Sequence, residues 1–257
     1  MFTKLLKYEL KTVGKWYFAL NAAVLAISIF LGFSIKSFAE YAQDSTYIDN
    51  NVSSQLILFC LVLVFGILVA GAWIATFFII IRHFYKNVFG REGYLTLTLP
   101  VSSHQIILSK LLASFIWVVF NSVILIIGIV LVILPISGVG NFLVYLPYIF
   151  TDFKILDFLM LALYSILSVL SGILLIYVAI SIGQLFSNKR GLMSFLAYFL
   201  LIICGFILSS VISNPFLHVE EYFTFRFFTY YCIEYLIRIL IFYFGTYYIM
   251  KNKLNLQ

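Results

Sequence analysis

Charge is scarce in this chain. Of its 257 residues, 16 are Lys or Arg and 10 are Asp or Glu. That is 10% charged, against about 25% in an average soluble domain. There are only 4 prolines and 3 cysteines. Cys60, Cys204 and Cys232 all lie in apolar runs, without disulfide or metal spacing. They read as small core hydrophobes, which excludes a secreted disulfide scaffold. The phosphate-binding G-x-x-x-x-G-K-[ST] loop is missing, so the chain is not expected to be its own ATPase. H-E-x-x-H and G-x-S-x-G are missing too, which removes the common zinc-peptidase and serine-hydrolase readings. His83 and His104 lie on the inner side and His218 on the outer side, and no metal site is expected. Glu220, Glu221 and Arg226, taken with His83 and Asn87, do not compose the signature of the intramembrane CAAX-type proteases. The order is reversed and one element is absent. No enzyme is expected in this chain.

What the sequence has is apolar. Hydrophobic residues make up 64% of it, and mean hydropathy is +1.11. A soluble fold of this size could not hide so much apolar surface. Its solvent must be largely lipid, and the expected fold is an all-α membrane protein. Six stretches reach the roughly 20 residues needed to cross a bilayer core. They run over about 16–35, 55–81, 111–134, 158–182, 192–212 and 230–250. The first is read as a retained span, being longer than the apolar core of a signal peptide. With no repeat and no soluble insertion apparent, the chain reads as one transmembrane domain over 1–257.

Lysine and arginine set the orientation. With the N-terminus inside, the inner segments carry Lys4, Lys7, Lys11, Lys15, Arg82, Lys86, Arg91, Lys110, Lys189, Arg190, Lys251 and Lys253. The outer loops carry only Lys36, Lys154 and Arg226. This bias puts both termini in the cytoplasm. It also explains the net charge of +6 without nucleic acid, since the basic residues form no single patch. The plasma membrane, in a bacterial setting, is the expected location.

Before the first span lies FTKLLKYELKTVGK, residues 2–15. At 100° per residue its four lysines fall within an arc of about 80°, and Phe2, Leu5, Leu6, Leu10 and Val13 lie opposite. That pattern predicts a helix lying in the membrane surface. Glu9 sits in the middle of the apolar arc, where a lone charge is costly. A polar or basic partner from another element is expected, with the loop holding Arg82 and Arg91 as its source. The alternative is a Glu9 that bends toward the headgroups.

The segment 82–110, RHFYKNVFGREGYLTLTLPVSSHQIILSK, is the longest inner loop. Ser102 or Ser103 can cap a helix beginning near His104. Its alternating Leu95, Leu97 and Leu99 suit a short surface helix or extended turn better than an unpaired strand. Together the two segments resemble the permease subunits of type-2 ABC exporters, in particular the small six-span bacterial ones. The K-Y-E-L-K core is Lys7, Tyr8, Glu9, Leu10 and Lys11. The E-G…L-x-x-P-V-S…L-x-x-K-L segment is carried by Glu92, Gly93, Leu97 or Leu99, Pro100, Val101, Ser102, Ile107 or Leu108, Lys110 and Leu111. The topology agrees over the whole chain, and the motifs cover about forty residues. The resemblance implies that the loop forms a coupling helix docking on a separate ATPase subunit. Arg91, Glu92, Gly93 and Tyr94 would make that contact. Gln184, Lys189 and Arg190 would make a smaller second one. It implies a second permease chain, identical or related, and ATP with Mg bound by the partner ATPase. No cofactor is expected on this chain itself.

Glu234 and Arg238, spaced i, i+4 in the last span, form a candidate intramembrane ion pair. They line a polar cavity or tie helices together. They also carry the alternative function, an ion-coupled secondary transporter. A third reading is a membrane protein that senses a peptide or confers immunity without transporting it.

Overall fold

The computed structural model describes residues 6–7, 9–10, 15–44, 52–89, 102–138, 140–144, 147, 155–186, 189–213 and 225–252. Among these the chain is helical, with no strand. Six long helices follow in order: α1 Lys15–Asp44, α2 Val52–Phe84, α3 Ser103–Ser137, α4 Ile155–Gly183, α5 Arg190–Ser213 and α6 Phe225–Asn252. The shortest, α5, has 24 residues and so spans about 36 Å, enough to cross a hydrocarbon core of about 30 Å. All six are apolar enough to cross a bilayer. The protein is a multi-pass, all-α membrane protein.

Each helix outruns the apolar stretch that announces it. Hydropathy marks only the part that meets hydrocarbon, whereas backbone hydrogen bonds continue into polar sequence. A π-helical turn, Tyr85–Phe89, extends α2, so 82–89 is helix rather than loop. Phe84 at the end of α2 and Val88 in this extension are fully buried. At the start of α3, Ser102 is the cap, as the serine pair suggested. Its carbonyl accepts from Gln105 N at 2.9 Å and its hydroxyl lies 3.4 Å from the same nitrogen. Gly138 closes α3 with φ +76°, the left-handed conformation that glycine adopts at low cost. Of the leading segment, residues 6–7 and 9–10 are described, and they are helical.

The chain divides into two compact units. The first comprises Met1–Thr12, Ile79–Ile116 and Phe153–Gln257. Its centre is the second half of α4, where Leu174, Tyr177 and Ala179 are buried, and α4 packs on both α5 and α6. Two glycines allow close approach here. A Cβ on Gly245 of α6 would lie 3.3 Å from Val178 Cγ2, and one on Gly183 would lie 2.6 Å from Ser194 N. The second unit comprises Val13–Phe78 and Trp117–Asp152. Its buried α1 face is Tyr17, Asn21, Val24, Ser28 and Leu31, a spacing of three and four that marks one side of a helix.

Candidate functional site

The first unit holds a buried ionic cluster built by three segments distant in sequence. Glu9, in the leading helix, is 5% exposed and Lys110, in α3, is 1% exposed. Lys110 Nζ donates to Glu9 Oε1 at 2.6 Å. His83 Nδ1, near the end of α2, lies 3.0 Å from Glu9 Oε2. Burial pushes the Glu9 carboxyl up, but the hydrogen bonds and charges of His83 and Lys110 outweigh it and hold the group at about 2. An ionised carboxylate only accepts, so His83 donates through Nδ1–H.

The chain places Lys110 there by helical geometry. Ile106, Ile107, Lys110, Leu111 and Ser114 share the buried face of α3. Lys110 therefore projects into protein and needs an anion. Glu9 supplies it, as the position of that acid on the apolar arc required. The partners, His83 and Lys110, both come from the segment 82–110 that also holds Arg82 and Arg91, the source the sequence reading named. The sequence reading counts Lys110 only among the basic residues of the inner segments, because a lysine shortly after a serine cap gives no sign of burial. Beside this cluster Tyr177 lies flat on Phe84, with ring centroids 3.9 Å apart and planes at 8°. Its hydroxyl is 2.8 Å from Ser114 Oγ. The end of α2, the start of α3 and the end of α4 are thus tied together around the ion pair.

A second cluster joins α5 to α6. Arg238 Nη2 donates to Glu234 Oε1, to Ser209 Oγ at 2.9 Å and to Gly205 O at 2.5 Å. Ser209 in turn donates to Glu234 Oε1 at 2.7 Å. Gly205 makes the room, since a Cβ there would lie 3.0 Å from Arg238 Nη1. The i, i+4 pair expected in the last span is present, and both members reach across to α5.

Of the residues assigned to ATPase contact, Arg91, Glu92, Gly93 and Tyr94 lie outside the described residues. Gln184, Lys189 and Arg190 border the turn between α4 and α5. Gln184 N bonds back to Ile180 O at 3.2 Å, and Lys189 O accepts from Met193 N at 3.1 Å. Lys189 is exposed and has φ 56°. Gln184 Nε2 and Arg190 Nε are buried without a hydrogen-bond partner. The sequence reading missed a third feature, His104 of α3 against α6. Its Nδ1 is 2.7 Å from Tyr243 Oη, and its ring stacks on Tyr247 at 4.0 Å. Nothing in either local segment signals that pairing. Among the described residues no group of His, Cys, Asp or Glu could hold a metal ion.

No family model matches this chain, and no curated protein or solved structure matches it either.

Proposed function

We propose that this protein is the permease subunit of an ATP-driven exporter, working with a separate ATPase bound through residues 82–110. One observation carries the reading. The two short motifs that resemble type-2 exporter permeases lie about a hundred residues apart, and a residue of each meets in the Glu9–Lys110 ion pair at 2.6 Å. Degenerate motifs that matched by chance would have no reason to touch. The pair links the leading helix to the start of α3, directly after the expected coupling loop. A displacement of that loop by an ATPase would therefore be transmitted to both the surface helix and a span. In this reading the segment 82–110 lies on the cytoplasmic side of a bacterial plasma membrane. Two permease chains then carry two ATPase subunits, which bind ATP and Mg. The cargo is amphipathic or apolar, such as a peptide, lipid or antibiotic, because the spans offer few charges to a polar one.

Glu234 and Arg238 support the alternative of an ion-coupled carrier less well. The carboxylate is ion-paired and accepts from Ser209 as well, which suits a tie between helices better than a group that must load and release a proton. Cross-linking tests the proposal. Arg91→Cys and Tyr94→Cys, in a background lacking the three native cysteines, should form bismaleimide cross-links to the co-expressed ATPase. Lys36→Cys should form none. Equal cross-linking from Lys36→Cys, or none from the loop, would remove the proposed coupling site.

A further inference from the structure

The second unit contains a group of buried, unpartnered polar atoms that the transport reading leaves unused. Helices α1 and α3 run side by side there in a fixed register. The Tyr17 ring meets the Trp117 ring edge-on, with centroids 5.6 Å apart. A Cβ on Gly128 would lie 2.9 Å from Ser28 Oγ, and one on Gly32 would lie 2.8 Å from Val132 O. Each pair differs by one hundred in number, so the helices are parallel and unshifted. Asn21 and Asn121 obey the same rule. Asn21 lies one turn beyond Tyr17 and Asn121 one turn beyond Trp117, on the faces that make these contacts. The two amides therefore stand at one level of the seam. An aromatic contact lies on one side of them and glycine-tight packing on the other.

Both asparagines are buried, Asn21 at 2% exposure and Asn121 at 0%. Asn21 Nδ2 donates to Tyr17 O at 2.9 Å, and Tyr17 Oη is engaged with Thr76 Oγ1 at 2.9 Å. Asn21 Oδ1, Asn121 Oδ1, Asn121 Nδ2 and Trp117 Nε1 have no partner. Two acceptors and two donors are thus withheld from hydrogen bonding inside a membrane span, where the backbone already satisfies itself and lipid offers nothing. Leucine at both positions would serve packing better. Residues 16–35, 56–78 and 117–137 contain no Asp, Glu, Lys, Arg or His. A charged ligand would find no counter-charge here, and its desolvation would go uncompensated.

We propose that the α1–α3 seam is a binding site for a neutral amide, the chemistry of a peptide bond or an N-acyl headgroup. A secondary amide offers one N–H and one C=O. The N–H would donate to Asn21 Oδ1 or Asn121 Oδ1. The carbonyl would accept from Asn121 Nδ2 or Trp117 Nε1. An ester only accepts and would leave the two carboxamide oxygens unpaired. The asparagines are covered in this arrangement, so binding requires α1 and α3 to part. Phe18, 47% exposed and edge-on to Trp117 at 5.8 Å, is the ring that must move aside. The site goes beyond the exporter reading and does not depend on it, because binding is read without an ATPase.

Tryptophan fluorescence tests it. Trp16 and Trp73 are 53% and 45% exposed. The double variant Trp16→Phe, Trp73→Phe leaves Trp117 as the only tryptophan. This protein, in phosphatidylcholine vesicles, is titrated with N-octanoyl-alaninamide, with methyl octanoate and with octylammonium. The expected result is a saturable change in Trp117 emission with the amide only. Asn21→Leu and Asn121→Leu should each raise the half-saturating concentration about tenfold, the effect of losing a buried hydrogen bond. Both variants should melt no lower than the parent, since each replaces a buried carboxamide that holds unpartnered polar atoms with hydrocarbon, and Asn21 loses only one bond, to the Tyr17 carbonyl of its own helix. No saturable change with the amide overturns the proposal, as does equal binding of the ester or the ammonium. Lower melting of both leucine variants with amide binding intact also overturns it, by making the asparagines a structural lock.

Discussion

Replacing Lys110 with methionine keeps the length of the side chain and removes its charge. It leaves the Glu9 carboxylate, 5% exposed, beside His83 but without the ammonium. Removing one member of a buried ion pair costs about 3–5 kcal/mol, because the other charge stays desolvated. A second route gives a similar figure. Glu9 is held at about 2 against an ordinary 4.5, and that difference corresponds to about 3 kcal/mol in favour of the ionised form, net of the opposing cost of its burial. Glu9→Gln alone should cost a similar amount, since it takes the carboxylate away from the buried ammonium. The double variant Glu9→Gln, Lys110→Met strands neither charge and should recover most of the loss. A double-mutant cycle by thermal unfolding in detergent micelles reads the coupling directly. Each single variant should melt lower by on the order of 5–10 °C for a chain of this size. The double should lie closer to the parent than to either single. Losses that simply add would refute the reasoning and make Glu9 a headgroup-facing residue.

Four further outcomes are open to measurement. Glu9 is depressed, so its contribution is fully present above pH 4.5 and is lost as pH falls toward about 2; acid titration of stability should show a loss in that window that is absent from Glu9→Gln. Gly205→Val should displace the Arg238 guanidinium, which a Cβ would approach to 3.0 Å, and lower stability by about 2–4 kcal/mol. Gly172→Ala, where a Cβ meets nothing within 4 Å, should be neutral or stabilising by up to about 1 kcal/mol in the same melt. For orientation, Lys36→Cys in a cysteine-free background should react with a membrane-impermeant maleimide on intact cells, and Lys251→Cys only after permeabilisation. The reverse pattern would place the termini outside.

The fold was legible because hydropathy over 20 residues is a long, redundant signal. All six spans appear where the apolar stretches lie, and the ends differ because helices continue past hydrocarbon. The candidate site was half legible. Glu9 stood out, since a charge on an apolar arc demands a partner, but the partner depends on which helices meet. Lys110 looks like an ordinary inner-loop lysine until α3 starts at Ser103 and turns it inward. The Glu234–Arg238 pair could be read because its spacing is local. The Ser209 and Gly205 contacts that complete it could not. Asn21 and Asn121 are visible as polar residues in apolar spans. Only the register of α1 on α3 brings them to one level.

The central claim is that this chain works through a separate ATPase docked on residues 82–110. The most direct test is to co-express the chain with a candidate ABC-type ATPase from the same organism and purify through a tag on the chain. A stable complex in the wild type, lost in the Glu92→Ala, Gly93→Trp double variant while the six-span protein still folds, is the predicted result. A wild-type chain that purifies folded with no ATPase bound would contradict the account.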